Sequence, residues 1–189
     1  MSQVSGIVLA GGQGRRMGSV DKGLQLLHGK PMVQWVIGRF APQVDEVLIN
    51  ANQNVDKYRG FGHRVITDEI GGFAGPLAGL HAGLKAAMHP LVASVPCDSP
   101  FLPDDLVKRL KAALGDKDLA VAKTGRQPHP VFALVRTNVL ENLAAFLAGG
   151  GRKIDAWYAS LRVVEVSFDD EADAFRNINT TDELRQADA

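Results

Sequence analysis

Apolar residues fall in short unbroken runs that alternate with stretches of helical spacing. "SGIVLA" (5–10), "EVLINA" (46–51), "HRVITD" (63–68) and "LVASVP" (91–96) read as strands rich in β-branched residues, the first and last apolar enough to be buried on both faces. Between them, "PMVQWVIGRFA" (31–41) opens on a proline suited to a first helical turn and carries apolar residues at helical spacing. "GPLAGLHAGLKAAMH" (75–89) reads as a helix whose glycines imply close packing on a sheet, and a short polar helix fits between 51 and 63. "PDDLVKRLKAAL" (103–114) is amphipathic, with proline and acids in its expected first turn. "DLAVAKT" (118–124) and "HPVFALVR" (129–136) read as strands, the second following a turn and suited to run antiparallel. Two more helical segments, a strand at "LRVVEVS" (161–167) and a short helix from Thr180 complete the pattern.

Strands alternating with helices predict an α/β protein: a mostly parallel sheet with an antiparallel strand, covered by helices on both faces in a three-layer α/β/α sandwich. With no repeat or linker in the sequence, one domain over 1–189 is expected. In such sheets ligands bind beyond the carboxyl ends of the strands. The polar residues that follow strands are the loop at 11–23, Asn50, Asp68 and Asp98.

Composition narrows the ligand. Hydrophobic residues make up 46% and charged residues 22%, which is ordinary for a soluble globular protein. Net charge is zero and aromatics are 6%, which argues against nucleic acid as a partner. Charge is unevenly spread, with five basic residues against one acidic in 1–40 and two against eight in 165–189. A local basic site on a neutral protein suits a small anion. One cysteine, Cys97, excludes an intrachain disulfide and reads as a small core residue. No apolar stretch approaches the roughly 18 residues of a membrane span. With no signal-peptide pattern at the N-terminus, a cytoplasmic protein with no membrane partner is expected.

The basic residues concentrate in "VLAGGQGRRMGSVDKGL" (8–24), which holds five glycines, Arg15, Arg16 and Lys22. Glycines let backbone N–H groups converge on an anion, and the cations neutralise it, so the loop reads as a polyphosphate site. It is not a Walker A loop, and its GxGxxxG spacing misses the dinucleotide fingerprint; Asn50 stands where that fold places a ribose-binding acid. Arg16 is expected near the phosphates and Asp21 beside a neighbouring cation. "SVPCDSPFLP" (94–103) ends a strand at Asp98, where a carboxylate holds Mg²⁺ against phosphates or braces a turn; the residues alone leave both open. Arg152 and Lys153, after Gly149–Gly151, meet an acceptor or lie on solvated surface.

"LAGGQGRRMGSVDKGL", "GPLAGLHAGL", "VPCDSPFLP" and "FRNINTTDEL" together, in this order from Ile7 to Leu184, resemble the molybdenum cofactor guanylyltransferases of the MobA family. Thr181 stands where the family usually has proline after Asn-x-Asn-Thr. The resemblance implies a Rossmann-like nucleotidyltransferase fold and transfer of GMP from GTP to the terminal phosphate of molybdopterin, with or without molybdenum, releasing pyrophosphate. It implies GTP contacts at Leu9, Ala10, Gly11, Gly12, Lys22, Asn50, Asp68 and Asp98, with Asp98 the Mg²⁺ ligand and Asn177 and Asn179 at the active site. Lys22, Asp98 and Arg16 are the expected catalytic groups. Upstream molybdenum cofactor enzymes, and acceptor apoenzymes or their chaperones, are the implied protein partners. The alternatives are a molybdopterin cytidylyltransferase, a sugar-1-phosphate nucleotidylyltransferase, a nicotinamide-dependent oxidoreductase and a non-catalytic nucleotide-binding module.

Overall fold

A computed structural model describes residues 3–12, 20–71, 75–178, 183, 185 and 186. The chain opens with β1 (Val4–Leu9), then a minimal hairpin of β2 (Leu26–Leu27) and β3 (Lys30–Pro31), helix α1 (Met32–Phe40), β4 (Glu46–Asn50), α2 (Val55–Arg59) and β5 (Arg64–Ile66). Helix α3 (Pro76–Ala86), β6 (Leu91–Pro96), α4 (Leu106–Leu114), β7 (Leu119–Thr124) and β8 (Gln127–Arg136) follow. Helices α5 (Leu140–Ala148) and α6 (Ile154–Tyr158), β9 (Val163–Ser167) and a 3-10 segment (Asp169–Phe175) come last.

Seven strands form one sheet in the order β5-β4-β1-β6-β8-β7-β9. All are mutually parallel except β8, which lies antiparallel between β6 and β7. Alternate residues of each strand serve opposite faces, because side chains along a strand repeat every two residues. Val4 and Val8 of β1 with Leu91, Ala93 and Val95 of β6 pack against Val33, Val36 and Phe40 of α1 and Leu106 and Leu110 of α4. Ile7, Leu48 and Val92 face the other way, onto Leu77, Leu80 and Leu84 of α3, Leu143 and Leu147 of α5 and Trp157 of α6. The sequence's three-layer α/β/α arrangement is what forms.

Two helix starts differ from the pattern. Pro31 is the N-cap of α1 rather than its first turn, because Lys30–Pro31 pairs with Leu26–Leu27. Helix α4 begins at Leu106, three residues after Pro103. The carbonyl of Leu102 accepts from Arg39, that of Pro103 accepts from Gln43 Nε2 as well as from the Leu106 N–H, and Gln43 Oε1 accepts the Val107 N–H at 3.0 Å. A distant glutamine thus caps the helix; Asp105 makes no side-chain capping bond.

Candidate active site

Register aligns four carboxyl ends. Leu9 pairs with Asn50 on one side and Pro96 on the other, and Asn50 pairs with Ile66, so β1, β4, β5 and β6 finish on one row. The chain builds from β1 outward through β4 to β5, then returns to the other flank of β1 with β6. That reversal leaves a crevice above β1 and β6, where open α/β sheets bind ligands. Ala10 N donates to Asn50 O at 2.8 Å and Cys97 N to Leu9 O at 3.1 Å, holding the segments that lead to Gly11, Asn52 and Asp98 together one step beyond the strands.

On the β6 side, Lys22 Nζ meets Asp98 Oδ2 at 3.3 Å. Asp98 is only 7% exposed. Burial pushes its carboxyl above the usual aspartate range, and the Lys22 ammonium pulls it partly back. Lys22 heads a 3-10 turn, Lys22–Leu24, whose Gly23 packs against buried groups: a Cβ there would lie 2.6 Å from the Tyr58 hydroxyl and 3.3 Å from Cys97 Sγ. The stretch after the last 3-10 segment returns to this loop. Ile178 N donates to Asp98 O at 2.8 Å, and the Ser99 hydroxyl donates to Asn177 Oδ1. Asn177 therefore stands against the Asp98 loop. Arg15, Arg16 and Asn179 lie outside the described residues.

On the β4 and β5 side, Asp68 sits in a bracket of amides. Asn50 Nδ2 donates to its Oδ1 and Asn52 Nδ2 to its Oδ2, both at 2.8 Å, while Asn52 Oδ1 accepts the Asp68 N–H at 2.8 Å. Two glycines leave room for this bracket. A Cβ on Gly11 would lie 2.7 Å from Asn52 Nδ2, and one on Gly79 would overlap Asn50 Oδ1 and approach Leu9 Cδ2 to 2.8 Å. Asn52 escaped the sequence reading, which stopped at the strand's last residue. Its signal was the two-residue step from Asn50, which keeps it on the same side of an extended segment.

Three comparisons with known proteins agree on one family. Residues 6–163 match the family described as "MobA-like NTP transferase domain". The molybdenum cofactor guanylyltransferase of Cupriavidus taiwanensis is 52% identical over 193 residues, covering 98% of this chain and 96% of that one. The chain belongs to the MobA-like NTP transferase family. The guanylyltransferase of Burkholderia orbicola is also 52% identical, with 96% of this chain and 93% of the relative covered. The crystal structure of molybdopterin-guanine dinucleotide biosynthesis protein A from Archaeoglobus fulgidus superposes with a TM-score of 0.81 at 27% identity, covering 97% of this chain and 96% of that one.

As a MobA-like nucleotidyltransferase, the chain has an α/β sheet of the Rossmann-like kind that its structural relatives share. Several residues singled out in the sequence have structural duties in this member of the family. Asp21 does not pair with a cation among the described residues; its carboxylate accepts from the neutral donors Tyr58 and Asn54. Cys97 is buried and its thiol is pushed well up by desolvation, so it stays protonated and inert. Arg152 donates to Leu147 O at 3.0 Å and Gly151 O at 2.7 Å, closing the end of α5. Among the described residues, no helix is long and apolar enough to cross a membrane.

Proposed function

We propose that the crevice over β1 and β6 binds GTP and passes its GMP to the terminal phosphate of molybdopterin. The acceptor phosphate oxygen forms a bond to the α-phosphorus, the bond to the β-phosphate bridge breaks, and pyrophosphate leaves. The observation that carries this reading is the meeting of Lys22 and Asp98 at 3.3 Å at the sheet's reversal point, in a chain 52% identical to molybdenum cofactor guanylyltransferases. A phosphate acceptor is already ionised near neutral pH, so the reaction needs neither a protein nucleophile nor a strong base. What it needs is two anions held together and charge stabilised on the departing group.

Each residue then has a defined task. Gly11 and Gly12 admit the triphosphate, and Lys22, with Arg16, neutralises it. Asn50 and Asp68 hold the nucleoside end, Leu9 and Ala10 line the floor, and Asn177, beside the Asp98 loop, serves the acceptor together with Asn179 of the same motif. Nucleotidyl transfer in this family generally uses a divalent metal. The donor set fits Mg²⁺: Asp98 offers a hard oxygen whose charge burial leaves undercompensated, and no cluster of three or more His, Cys, Asp or Glu forms a cage among the described residues. Mg²⁺ characteristically takes one or two carboxylates and completes its shell with phosphate oxygens and water. Bound at Asp98, it would supply positive charge to the pyrophosphate. Hand-over of a labile product further implies docking with upstream cofactor enzymes and with acceptor apoenzymes or their chaperones.

The test is pyrophosphate release with purified molybdopterin and Mg²⁺, run separately with GTP, CTP, ATP and UTP. Release with GTP well above the other three is expected. Preference for CTP would replace this reading with a cytidylyltransferase, and no release with any nucleotide would replace it with a binding module.

A further inference from the structure

Lys22 must leave its turn in one direction to meet phosphates, yet its side chain is a flexible four-carbon stem with many rotamers. The residues on either side of it are clamped. Gly23 lies flat against Tyr58 and Cys97, with no space for a Cβ. Asp21 is the N-cap of the turn, and its carbonyl accepts the Leu24 N–H at 3.2 Å, but its side chain makes no capping bond. The carboxylate points instead to the α2 region, where the Tyr58 hydroxyl donates to Oδ1 and Asn54 Nδ2 donates to Oδ2 at 3.0 Å.

Both donors show the marks of a built contact. Tyr58 is completely buried, and burial raises its hydroxyl far above the ordinary tyrosine range, so it remains a donor at any working pH. Its ring is fixed edge-on to Phe61 at 6.1 Å. Asn54 has φ +51, a left-handed conformation uncommon for a residue other than glycine. Strain of this kind persists where surrounding contacts enforce it and concentrates at functional sites.

We infer that Tyr58 and Asn54 are positioning residues for Lys22. They lock the Asp21 carboxylate, the clamp on Gly23 locks the other side, and Lys22 between them is aimed at Asp98. The inference rests on the reading of Lys22 as a phosphate contact. The β4–α2 segment thereby serves both halves of the site, holding Asp68 through Asn52 and Lys22 through Asn54 and Tyr58.

The experiment is a double-mutant cycle of Tyr58→Phe and Lys22→Ala, read as kcat/KM for GTP in pyrophosphate release, with folding checked by circular dichroism. A hydrogen bond to a charged group sets the scale, so Tyr58→Phe should lower kcat/KM about tenfold, and Lys22→Ala alone about 10- to 100-fold. On the Lys22→Ala background, Tyr58→Phe should cost less than about twofold, because its effect passes through Lys22. Asn54→Gly, which keeps the left-handed backbone and removes the amide, should behave as Tyr58→Phe does. The same tenfold loss on both backgrounds would make Tyr58 a merely structural residue and overturn the inference. Loss in Lys22→Ala with Tyr58→Phe and Asn54→Gly unchanged would overturn the positioning alone. A silent Lys22→Ala would overturn the phosphate assignment beneath it.

Discussion

Gly79→Ala and Gly83→Ala make a matched pair of perturbations. Both sit inside α3, and alanine there adds about 1 kcal/mol of helix propensity in either case. At Gly79 the new methyl overlaps Asn50 Oδ1 and comes within 2.8 Å of Leu9 Cδ2. Asn50 is 2% exposed and tied to Asp68 at 2.8 Å, so it yields only by breaking that bond. Overpacking costs roughly 1–3 kcal/mol, and a hydrogen bond to a carboxylate contributes roughly 1.5–3 kcal/mol. After the propensity gain, Gly79→Ala should lose about 1.5–5 kcal/mol, or roughly 3–20 °C in Tm for a chain of this size. At Gly83 the methyl meets the end of Ile7, which can turn at its terminal carbon, so the loss should be about 1 kcal/mol or less. The two part company on GTP. Gly79→Ala should weaken binding about tenfold, because Asp68 is then held from one side only; Gly83→Ala should leave it unchanged. Thermal melts and GTP titration well below both midpoints separate them. Wild-type GTP affinity in Gly79→Ala, or equal losses in both variants, would mean that Asn50 does not hold Asp68 for the nucleotide.

Asn52→Ala removes the partners of Asp68 Oδ2 and of the Asp68 N–H at an exposed position. GTP affinity should fall about tenfold with little change in Tm, and calorimetric titration showing wild-type affinity would contradict the bracket's role. Asp98→Asn should change the pH dependence of stability in the apoprotein. The folded pKa of Asp98 is raised above 3.8, chiefly by burial, so the folded state loses stability as pH climbs from the unfolded pKa to the folded one, above which the loss is complete. Wild type therefore loses stability relative to Asp98→Asn as pH rises through the folded pKa, and the difference becomes constant below about 3.8. Urea denaturation of both proteins between pH 4 and pH 8 measures it, and parallel curves would show that Asp98 titrates as an ordinary exposed aspartate.

How much was legible in the sequence depends on range. Continuous apolar runs such as "LVASVP" declared buried strands, and strand ends then marked Asn50, Asp68 and Asp98, because a strand's carboxyl end is a local property. The antiparallel course of β8 was readable from the turn at Gly125, but its insertion between β6 and β7 was not, since pairing with β6 joins residues some forty positions apart. The β2–β3 hairpin has two residues per strand, too few for any period to register. Within the site, Asn177 beside Ser99 came from a motif, whereas Tyr58 on Asp21 had no such herald. Asp21 is expected beside a cation from its loop alone, and Tyr58 carries no local signal; only folding brings the two together. Gln43 capping α4 escaped for the same reason: local patterning places proline and acids in the first turn, and a tertiary contact supplies the cap.

If Asp98 and Lys22 form the reaction centre for guanylyl transfer, Asp98→Ala should strip the protein of transfer and spare its fold. Pyrophosphate release from GTP, with molybdopterin and Mg²⁺, is measured per folded molecule beside a circular dichroism melt. Without this carboxylate, a divalent metal would lose the proposed protein ligand and with it several kcal/mol of charge stabilisation, and about 4 kcal/mol corresponds to roughly a thousandfold in rate. The fold should survive, GTP binding should weaken less than turnover, and transfer should fall by about that factor. Normal turnover per folded molecule, with only the melting point lowered, would make Asp98 a turn brace and contradict the account.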